Sequence, residues 1–167
     1  MADSGYPVVP SDSKTNDPGM QILAHGLRWN ETTWDRERCN VEGVALANAI
    51  RTGATAESDD IINYNHRGAM VTLNYSTRGG TNLIMMRVQG KDEALSDTYY
   101  NIFSTVTLSA TGSASYTVYP GISAGAQAAV VSSGSANHVL PRTWRVQVVQ
   151  SGTSLTANFG VGYSMIV

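Results

Sequence analysis

Apolar and polar residues alternate along much of the second half of the chain, in short runs separated by turn-forming residues. Near the end, Trp144, Val146 and Val148 fall on one face of an extended chain. Arg145 and Gln147 fall on the opposite face. This two-residue period is typical of a strand that is buried on one side only. It predicts that Arg145 lies on the outer face of a strand, which explains the arginine without a chemical role.

Several runs beyond residue 65 share this character and are rich in Val, Ile, Thr and Tyr: AMVTLNY, NLIMMRVQ, YYNIFSTVTL, SYTVYP, TWRVQVV and GVGYSMIV. The stretches between them contain turn-forming residues: RGG, GKDEALSD, TGSA and QSGTS. No helical period intervenes, which disfavours a fold of alternating strands and helices. The pattern predicts an all-β fold, an antiparallel β-sandwich of the immunoglobulin-like or jelly-roll type.

The beginning of the chain has a different pattern. Pro7, Pro10 and Pro18 punctuate a polar stretch that cannot bury much surface by itself. We therefore predict an extended N-terminal arm with an anchoring segment over residues 1–60, followed by the β-sandwich domain over residues 61–167.

The run VEGVALANAI, residues 41–50, fits either a helix or a strand. It is too short for its period to decide, and Gly43 disfavours a helix. The sequence leaves its secondary structure open.

Composition excludes several classes of partner and site. A chain of 167 residues suits one domain, or a smaller domain with an arm, and its formal net charge is −2. There is no stretch rich in lysine or arginine, so nucleic acid is not an expected partner. Cys39 is the only cysteine, which excludes an intramolecular disulfide or a cysteine-based zinc cluster and fits a reducing compartment.

The first residues, MADSGYPVVPSDSKTNDPG, lack the basic start and apolar core of a signal peptide. No later apolar run reaches the roughly 18 residues that a membrane span needs. We expect a soluble chain that is not exported by a classical route and has no membrane partner.

Charge is distributed unevenly along the chain. Every aspartate and glutamate lies at or before Asp97, and beyond it the only charged side chains are those of Arg142 and Arg145. A small isolated domain normally keeps a well-charged surface. We therefore expect the charge-poor half to be covered by other copies of the chain or by partners.

Residues 121–125, GISAG, match the nucleophile elbow of serine hydrolases. That arrangement needs an acid and then a histidine later in the chain, but no Asp or Glu follows Ser123. His138 would have no carboxylate to orient it. The motif is better explained as a turn, and we expect no catalytic residues.

Candidate metal ligands do not form a recognisable site. The three histidines stand at no metal-ligand spacing: His25, His66 and His138. One loop carries three carboxylates, Asp92, Glu93 and Asp97, without the ligand and glycine pattern of a calcium loop. We expect a solvated hairpin loop there, and neither a metal nor a cofactor.

The segment WNETTWDRERCNVEG is the strongest candidate for a partner contact. Tryptophan and arginine carry a disproportionate share of binding energy at protein interfaces. The candidate residues for binding a partner are Trp29, Trp34, Asp35, Arg36 and Arg38. The alternative is that this segment forms a clasp against the chain's own sandwich.

The same segment opens a series of short motifs that occur in a fixed order: WNETTWDRERCNVEG, YNHRGAMVTLN, RVQGKD, YYNIFS, VYPGIS, LPRTWRVQV and VGYSMIV. The series, over residues 28–167, resembles a family of small virion structural proteins of tailed bacteriophages. These are interpreted as head decoration or cement proteins. Cys39 stands where the family usually has a small residue, commonly glycine.

The resemblance implies a non-enzymatic phage decoration protein on the capsid surface, made in the host cytoplasm. Its partners would be the major capsid protein and further copies of itself, as a homotrimer. The arm and the segment from Trp29 to Arg38 would grip the capsid protein, and charge-poor faces would pack copies together. The alternatives are a tail, neck or host-contacting virion protein and, more remotely, a small hydrolase that uses Ser123.

Overall fold

The structure is a computed structural model of the chain. It describes the backbone of residues 27–29 and 34–36, and residues 41–94, 96–125 and 133–167 with their side chains. The chain divides into two compact units, Met1–Cys39 and Asn40–Val167. All regular secondary structure in the described residues is β-strand, which confirms the predicted all-β class.

The described residues of the first unit form two short strands. Strand β1 spans Leu27–Trp29 and strand β2 spans Trp34–Arg36. They pair antiparallel in a sheet of their own. The first 26 residues, which begin the expected arm, lie outside the described residues.

The described part of the second unit forms strands β3 to β12. Their bounds are Val41–Arg51 (β3), Thr55–Glu57 (β4), Ile61–Ile62 (β5), Gly68–Arg78 (β6), Leu83–Asp92 (β7), Thr98–Ser104 (β8), Gly112–Val118 (β9), Gly134–Ala136 (β10), Thr143–Ser151 (β11) and Ala157–Ile166 (β12). Each of the runs that alternation identified overlaps one of six strands: β6, β7, β8, β9, β11 and β12. The run YYNIFSTVTL continues to Leu108, beyond the end of β8 at Ser104.

These strands form two sheets. The first sheet has the order β10-β9-β6-β12-β3, and the second has the order β4-β11-β7-β8 with β5 also paired to β11. Every pair is antiparallel except β9 with β10, which is parallel. The predicted antiparallel β-sandwich is therefore confirmed, with one parallel edge strand.

A single apolar core joins the two sheets. Trp144, Val146 and Val148 of β11 are all 0% exposed, as their alternation predicts. The ring of Trp144 meets Tyr163 of β12 edge-on, with the ring centroids 5.4 Å apart. Phe103 of the second sheet likewise lies 5.5 Å from Tyr116 of the first. Aromatic contacts across the core thus hold the sheets together in addition to aliphatic packing.

The run whose secondary structure the sequence left open is β3, at the edge of the first sheet. Gly43 pairs with Tyr163 on β12, and a Cβ at Gly43 would lie 2.5 Å from the Tyr163 hydroxyl oxygen. The glycine that disfavours a helix therefore makes room for a neighbouring aromatic ring. Because β3 and β4 belong to the sandwich, the observed division after Cys39 lies earlier than the expected boundary at residue 60.

Strand β3 is irregular along its pairing with β12, with register shifts between Phe159 and Gly162. The guanidinium of Arg51 donates hydrogen bonds to the carbonyls of Ala47 (2.7 Å), Ala49 (3.1 Å) and Phe159 (2.6 Å). It also lies 4.6 Å from the centre of the Phe159 ring. Bulges interrupt the hydrogen bonds of a ladder, and Arg51 supplies a donor to carbonyls in this irregular stretch.

The connection from β11 to β12 carries the chain from the second sheet to the first through Gly152. Its φ is +121°, and a Cβ there would lie 2.6 Å from the backbone oxygen of Thr81. An L side chain rarely adopts this φ, and the neighbouring atom belongs to the backbone, which cannot turn aside. This position therefore requires glycine for two independent reasons.

Gly121 allows the two reasons to be separated, because it also has a positive φ, +85°, but has no atom within 4 Å of its Cβ position. Gly121→Ala should lower the free energy of unfolding by about 1 kcal/mol through backbone strain alone. Gly152→Ala should lower it by about 2 kcal/mol or more, because a steric clash is added. Chemical denaturation of both variants measures the difference, and equal losses would contradict the contact with Thr81.

Candidate functional site

The residues that the sequence singled out for partner binding fall on or near the small sheet of the first unit. Trp29 at the end of β1 and Trp34 at the start of β2 are paired across the ladder, and Asp35 and Arg36 follow on β2. Only the backbone of these four residues is described, and Arg38 lies outside the described residues. Their role in binding remains a prediction.

Arg145 is the centre of a hydrogen-bonded cluster on the outer face of the second sheet. Its guanidinium forms a bidentate ion pair with Glu57, with Nη1 to Oε2 at 2.7 Å and Nη2 to Oε1 at 3.1 Å. Its Nε donates to Oε1 of Gln89 at 2.9 Å, and the group lies 3.5 Å from the centre of the Tyr99 ring. The interpretation of Arg145 as an outer-face residue agrees with this position, but the sequence did not identify its partners.

Amide side chains extend this cluster across the sheet. Gln147 donates from Nε2 to Oε1 of Glu57 at 2.6 Å and accepts from Nη1 of Arg87 at 3.2 Å. Gln89 donates from Nε2 to Oδ1 of Asn101 at 3.0 Å. The hydrogen bonds therefore run from β4 across β11 and β7 to β8, over the whole width of the second sheet.

A second group of charges adjoins Tyr99. The Tyr99 hydroxyl donates a short hydrogen bond to Oδ1 of Asp60, and Lys91 Nζ lies 3.1 Å from Oδ2 of Asp60 and 3.0 Å from Oδ1 of Asp97. The hydrogen bond from Tyr99, followed by the Lys91 ammonium, lowers the pKa of Asp60. The same bond raises the pKa of Tyr99, and the bonds to Asp97 and Asp60 raise the pKa of Lys91.

The outer face of the second sheet, which we call the charged face, therefore consists of ionic and amide groups that bond to one another: Glu57, Asp60, Arg87, Gln89, Lys91, Asp97, Tyr99, Asn101, Arg145 and Gln147. Within the described residues there is no group of three or more His, Cys, Asp or Glu side chains that could hold a metal ion. Most of the hydrogen-bonding groups of this face are engaged with each other, and an exception is Nε of Arg87, which is buried without a partner.

The outer face of the first sheet has the opposite character. The strand registers bring small, hydroxylated and amide residues into rows with a few apolar ones: Val44, Ile50, Met70, Thr72, Asn74, Ser113, Ser115, Thr117, Asn158, Gly160, Gly162 and Ser164. We call this the uncharged face. In the described residues of these rows, a single charged side chain occurs, that of Glu42 on the edge strand opposite Ser164. Hydroxyl groups bond across it, as between Thr72 and Ser115 at 3.0 Å.

One end of the sandwich, which we call the loop end, is formed by residues 63–67, 119–125 and 137–142. Asn63 ties two of these loops together, because its Nδ2 donates to the carbonyls of His66 (2.8 Å) and Leu140 (3.0 Å). The backbone N–H of Tyr119 donates to the carbonyl of Ala136 at 3.0 Å, which joins the third loop to β10.

Large apolar side chains remain exposed at and beside this end. Val139 is 59% exposed, Tyr64 38% and Tyr100 43%. Tyr100 belongs here because its ring and Pro141 both lie within 3 Å of where a Gly90 Cβ would be. Arg142 is exposed beside Pro141. The exposed groups of these loops and of the adjoining Tyr100 are therefore aromatic, aliphatic and cationic.

The residues considered for catalysis, Ser123 and His138, lie in two of the loops that form the loop end. Ser123 is exposed, and its carbonyl accepts a hydrogen bond of 2.8 Å from the Ser135 hydroxyl of β10. The same hydroxyl accepts a bond of 2.7 Å from the N–H of Gly125, so β10 holds both sides of the GISAG turn. His138 is exposed and its Nδ1 lies 2.6 Å from the carbonyl oxygen of Val139.

The other candidate ligands are dispersed. His25 lies outside the described residues, and His66 is buried with its backbone N–H bonded to Asn63. Asp92, at the end of β7, accepts a hydrogen bond of 3.1 Å from the N–H of Ala94. The antiparallel pairing of β7 with β8 makes this connection the hairpin that the sequence predicted.

Comparison with protein-family models, with curated proteins and with solved structures finds no match to this chain. The described residues contain no helix long and apolar enough to cross a membrane. Three surfaces of the described sandwich are available for contacts: the charged face, the uncharged face and the loop end.

The hydrogen bond between Tyr99 and Asp60 should make the stability of the fold depend on pH. Because the pKa of Asp60 is lower in the folded chain than in the unfolded one, its ionised form stabilises the fold above the ordinary aspartate value of about 4. That contribution is lost as pH falls through the folded pKa. Tyr99→Phe should raise the pKa of Asp60 and lower stability at neutral pH by less than about 1 kcal/mol, since the pair is exposed to solvent.

Carboxyl NMR titration, with thermal unfolding at neutral and strongly acidic pH, measures both effects. At acidic pH the variant and the original protein should unfold alike. Tyr100→Phe is the matched control, because it removes a neighbouring hydroxyl that has no part in the bond to Asp60. An unchanged titration of Asp60 in Tyr99→Phe would contradict this account.

Proposed function

We propose that this chain is a non-enzymatic structural protein of a tailed-phage virion, and that it decorates the head by binding the major capsid protein. The proposal draws on the ordered motifs whose resemblance to virion proteins was described above. The observation that carries it is that the ends of these motifs come together at the loop end. Tyr64 and Arg142 are exposed in loops that Asn63 joins, and Tyr100 lies beside Pro141 of the same loop.

The composition of the loop end suits a protein contact. Tyrosine and arginine are enriched among the residues that contribute most to binding. Exposed Val139 and Tyr64 would bury apolar area on a partner, while Arg142 could pair with a carboxylate there. The loops themselves are fastened by backbone and Asn63 hydrogen bonds, so little order would have to be gained on binding.

A decoration protein acts by mechanical reinforcement. Many copies around a shell each make a modest contact, and the assembly gains strength because the contacts are repeated. In this proposal the first unit supplies a further grip through Trp29, Trp34, Asp35, Arg36 and Arg38, and the loop end supplies the surface on the sandwich. The protein would reside on the capsid surface of the virion, after synthesis in the host cytoplasm.

Val139→Asp tests the loop end as the attachment surface. A carboxylate at this exposed position should weaken co-sedimentation with undecorated heads at least tenfold, about 1.4 kcal/mol, because it would have to be desolvated in the contact. Thr111→Asp is the matched control, since Thr111 is exposed next to Gly112 at the opposite end of β9. It should bind as the original protein does.

Equal binding of the two variants would remove the loop end from the contact. A protein that never sediments with heads but is found on purified tails would replace the decoration function with the alternative, a tail or neck component. Either result would leave the fold unaffected.

The tryptophans of the first unit provide a separate test. Replacement of both Trp29 and Trp34 by alanine should weaken head binding by about 2 kcal/mol or more per residue if they anchor the chain to the capsid. If they form an internal clasp instead, the double variant should lose thermal stability, while the folded fraction binds heads normally. Thermal unfolding and head co-sedimentation of the same preparation distinguish the two roles.

A further inference from the structure

We propose that the uncharged face is an interface between two copies of this chain, packed face to face about a two-fold axis. This inference concerns the purified protein and does not depend on the proposed attachment to a phage head. It rests on the charge, the shape and the area of one side of the first sheet.

The charge distribution favours covering this face. Its central rows, such as Val44, Gly162, Thr72 and Ser115, carry no charged side chain. Burying a charge without a partner is costly, and that cost does not arise here. On the other side of the sandwich, the side chains of the charged face form hydrogen bonds and ion pairs with one another, and that face is suited to contact with water. The two outer surfaces of one sandwich are thus suited to different environments.

Self-pairing makes the absence of charge more significant. Across a two-fold axis each surface meets an identical copy of itself, so a row of like charges would tend to face like charges. Glu42 lies on the edge strand, at the margin of the face. A surface of hydroxyl, amide and apolar groups has no such repulsion, because hydroxyls and amides both donate and accept hydrogen bonds.

The shape of the face provides room for side chains from a second copy. On β12 the open outward position at the centre is Gly162, which leaves a shallow trough between Val44 and Thr72 on the neighbouring strands. A Cβ at Gly162 would lie 3.6 Å from the backbone oxygen of Gly43, its nearest neighbour, so the trough is open at that point. Beside it, Val44 is 71% exposed and Met70 is 40% exposed. These apolar side chains can bury surface on the glycine trough of a facing copy.

The area is adequate for a stable contact. Strands lie about 4.8 Å apart and rise about 3.3 Å per residue, so four strands of roughly ten residues cover on the order of 600 Å². A standard interface buries about 800 Å² on each partner. Standard interfaces range down to about 600 Å² on each partner, so a specific dimer would use nearly the whole face.

Packing on the face is favoured over pairing at the edge of the sheet. Strand β3 is an edge strand of the first sheet, but its register shifts make it irregular between Phe159 and Gly162 of its neighbour. Bulges on an edge strand are a common obstacle to the addition of another strand. The β3 edge is therefore poorly suited to strand addition, and the face is the surface of this sheet that a second copy can cover.

The two-fold symmetry of this contact determines the number of copies in the assembly. A face that packs on itself closes after two copies, whereas a trimer requires the face to meet a different surface on the next copy. The resemblance to virion proteins implies a trimer. The uncharged face implies a dimer.

Sedimentation velocity and light scattering of the 167-residue chain over a concentration series provide the test. The original protein should be a dimer at micromolar concentration and should stay dimeric in molar salt, because the contact has no ion pairs for salt to screen. Thr72→Arg, at the centre of the face, should raise the dimer dissociation constant at least tenfold. Thr117→Arg, in another row, should act in the same direction and provides a second variant if the first folds poorly.

Thr55→Arg is the matched control, since Thr55 is exposed on β4 of the second sheet. It should leave the dimer intact. An original protein that is monomeric or trimeric overturns the inference, and so does a Thr72→Arg variant that is folded by circular dichroism and dimerises as the original does. All these measurements are made without phage heads, so they are independent of whether the protein binds a capsid.

Discussion

The indole of Trp144 lies between the two sheets, against Tyr163 of the opposite sheet, and is fully buried. Its Nε1 has no hydrogen-bond partner among the described residues, so its contribution comes from packing. Loss of such a side chain from a core typically costs about 3–5 kcal/mol. The inward direction of Trp144 also determines the register of β11: a shift of one residue would expose Trp144, Val146 and Val148 and bury Arg145.

The chemistry of the charged face follows from that register. When Trp144 points inward, Arg145 must point outward, and β11 lies between β4 and β7. Arg145 therefore reaches Glu57 on one side and Gln89 on the other. Ionic contacts at a surface contribute little individually to stability. Here they form between the outward positions of strands whose inward positions are fixed by the core. The core thus accounts for both the fold and the polarity of the outer surface.

The strength of local patterning explains what could be predicted from the sequence. Alternation was sufficient for β11 because it persists over a whole strand with a tryptophan on the buried side. It was insufficient for β3, whose pairing depends on Tyr163 fitting against Gly43, more than 100 residues away. Strands of two or three residues, such as β4, are too short for a periodic signal. The ion pair between Arg145 and Glu57 joins positions 88 residues apart, so only the folded pairing of β4 with β11 reveals it.

The uneven charge of the sequence has a counterpart in the structure. Acidic residues occur only up to Asp97, and the described ones that form ion pairs do so on the charged face with Lys91 and Arg145. Strands β9, β10 and β12 come from the charge-poor end of the chain and surround β6 in the first sheet. An asymmetry along the chain thereby becomes an asymmetry between the two sides of the sandwich. If both outer faces carried charges, covering either one would require the desolvation of charged groups. The order of strands in the first sheet gives the sandwich one outer face that can be buried without that cost.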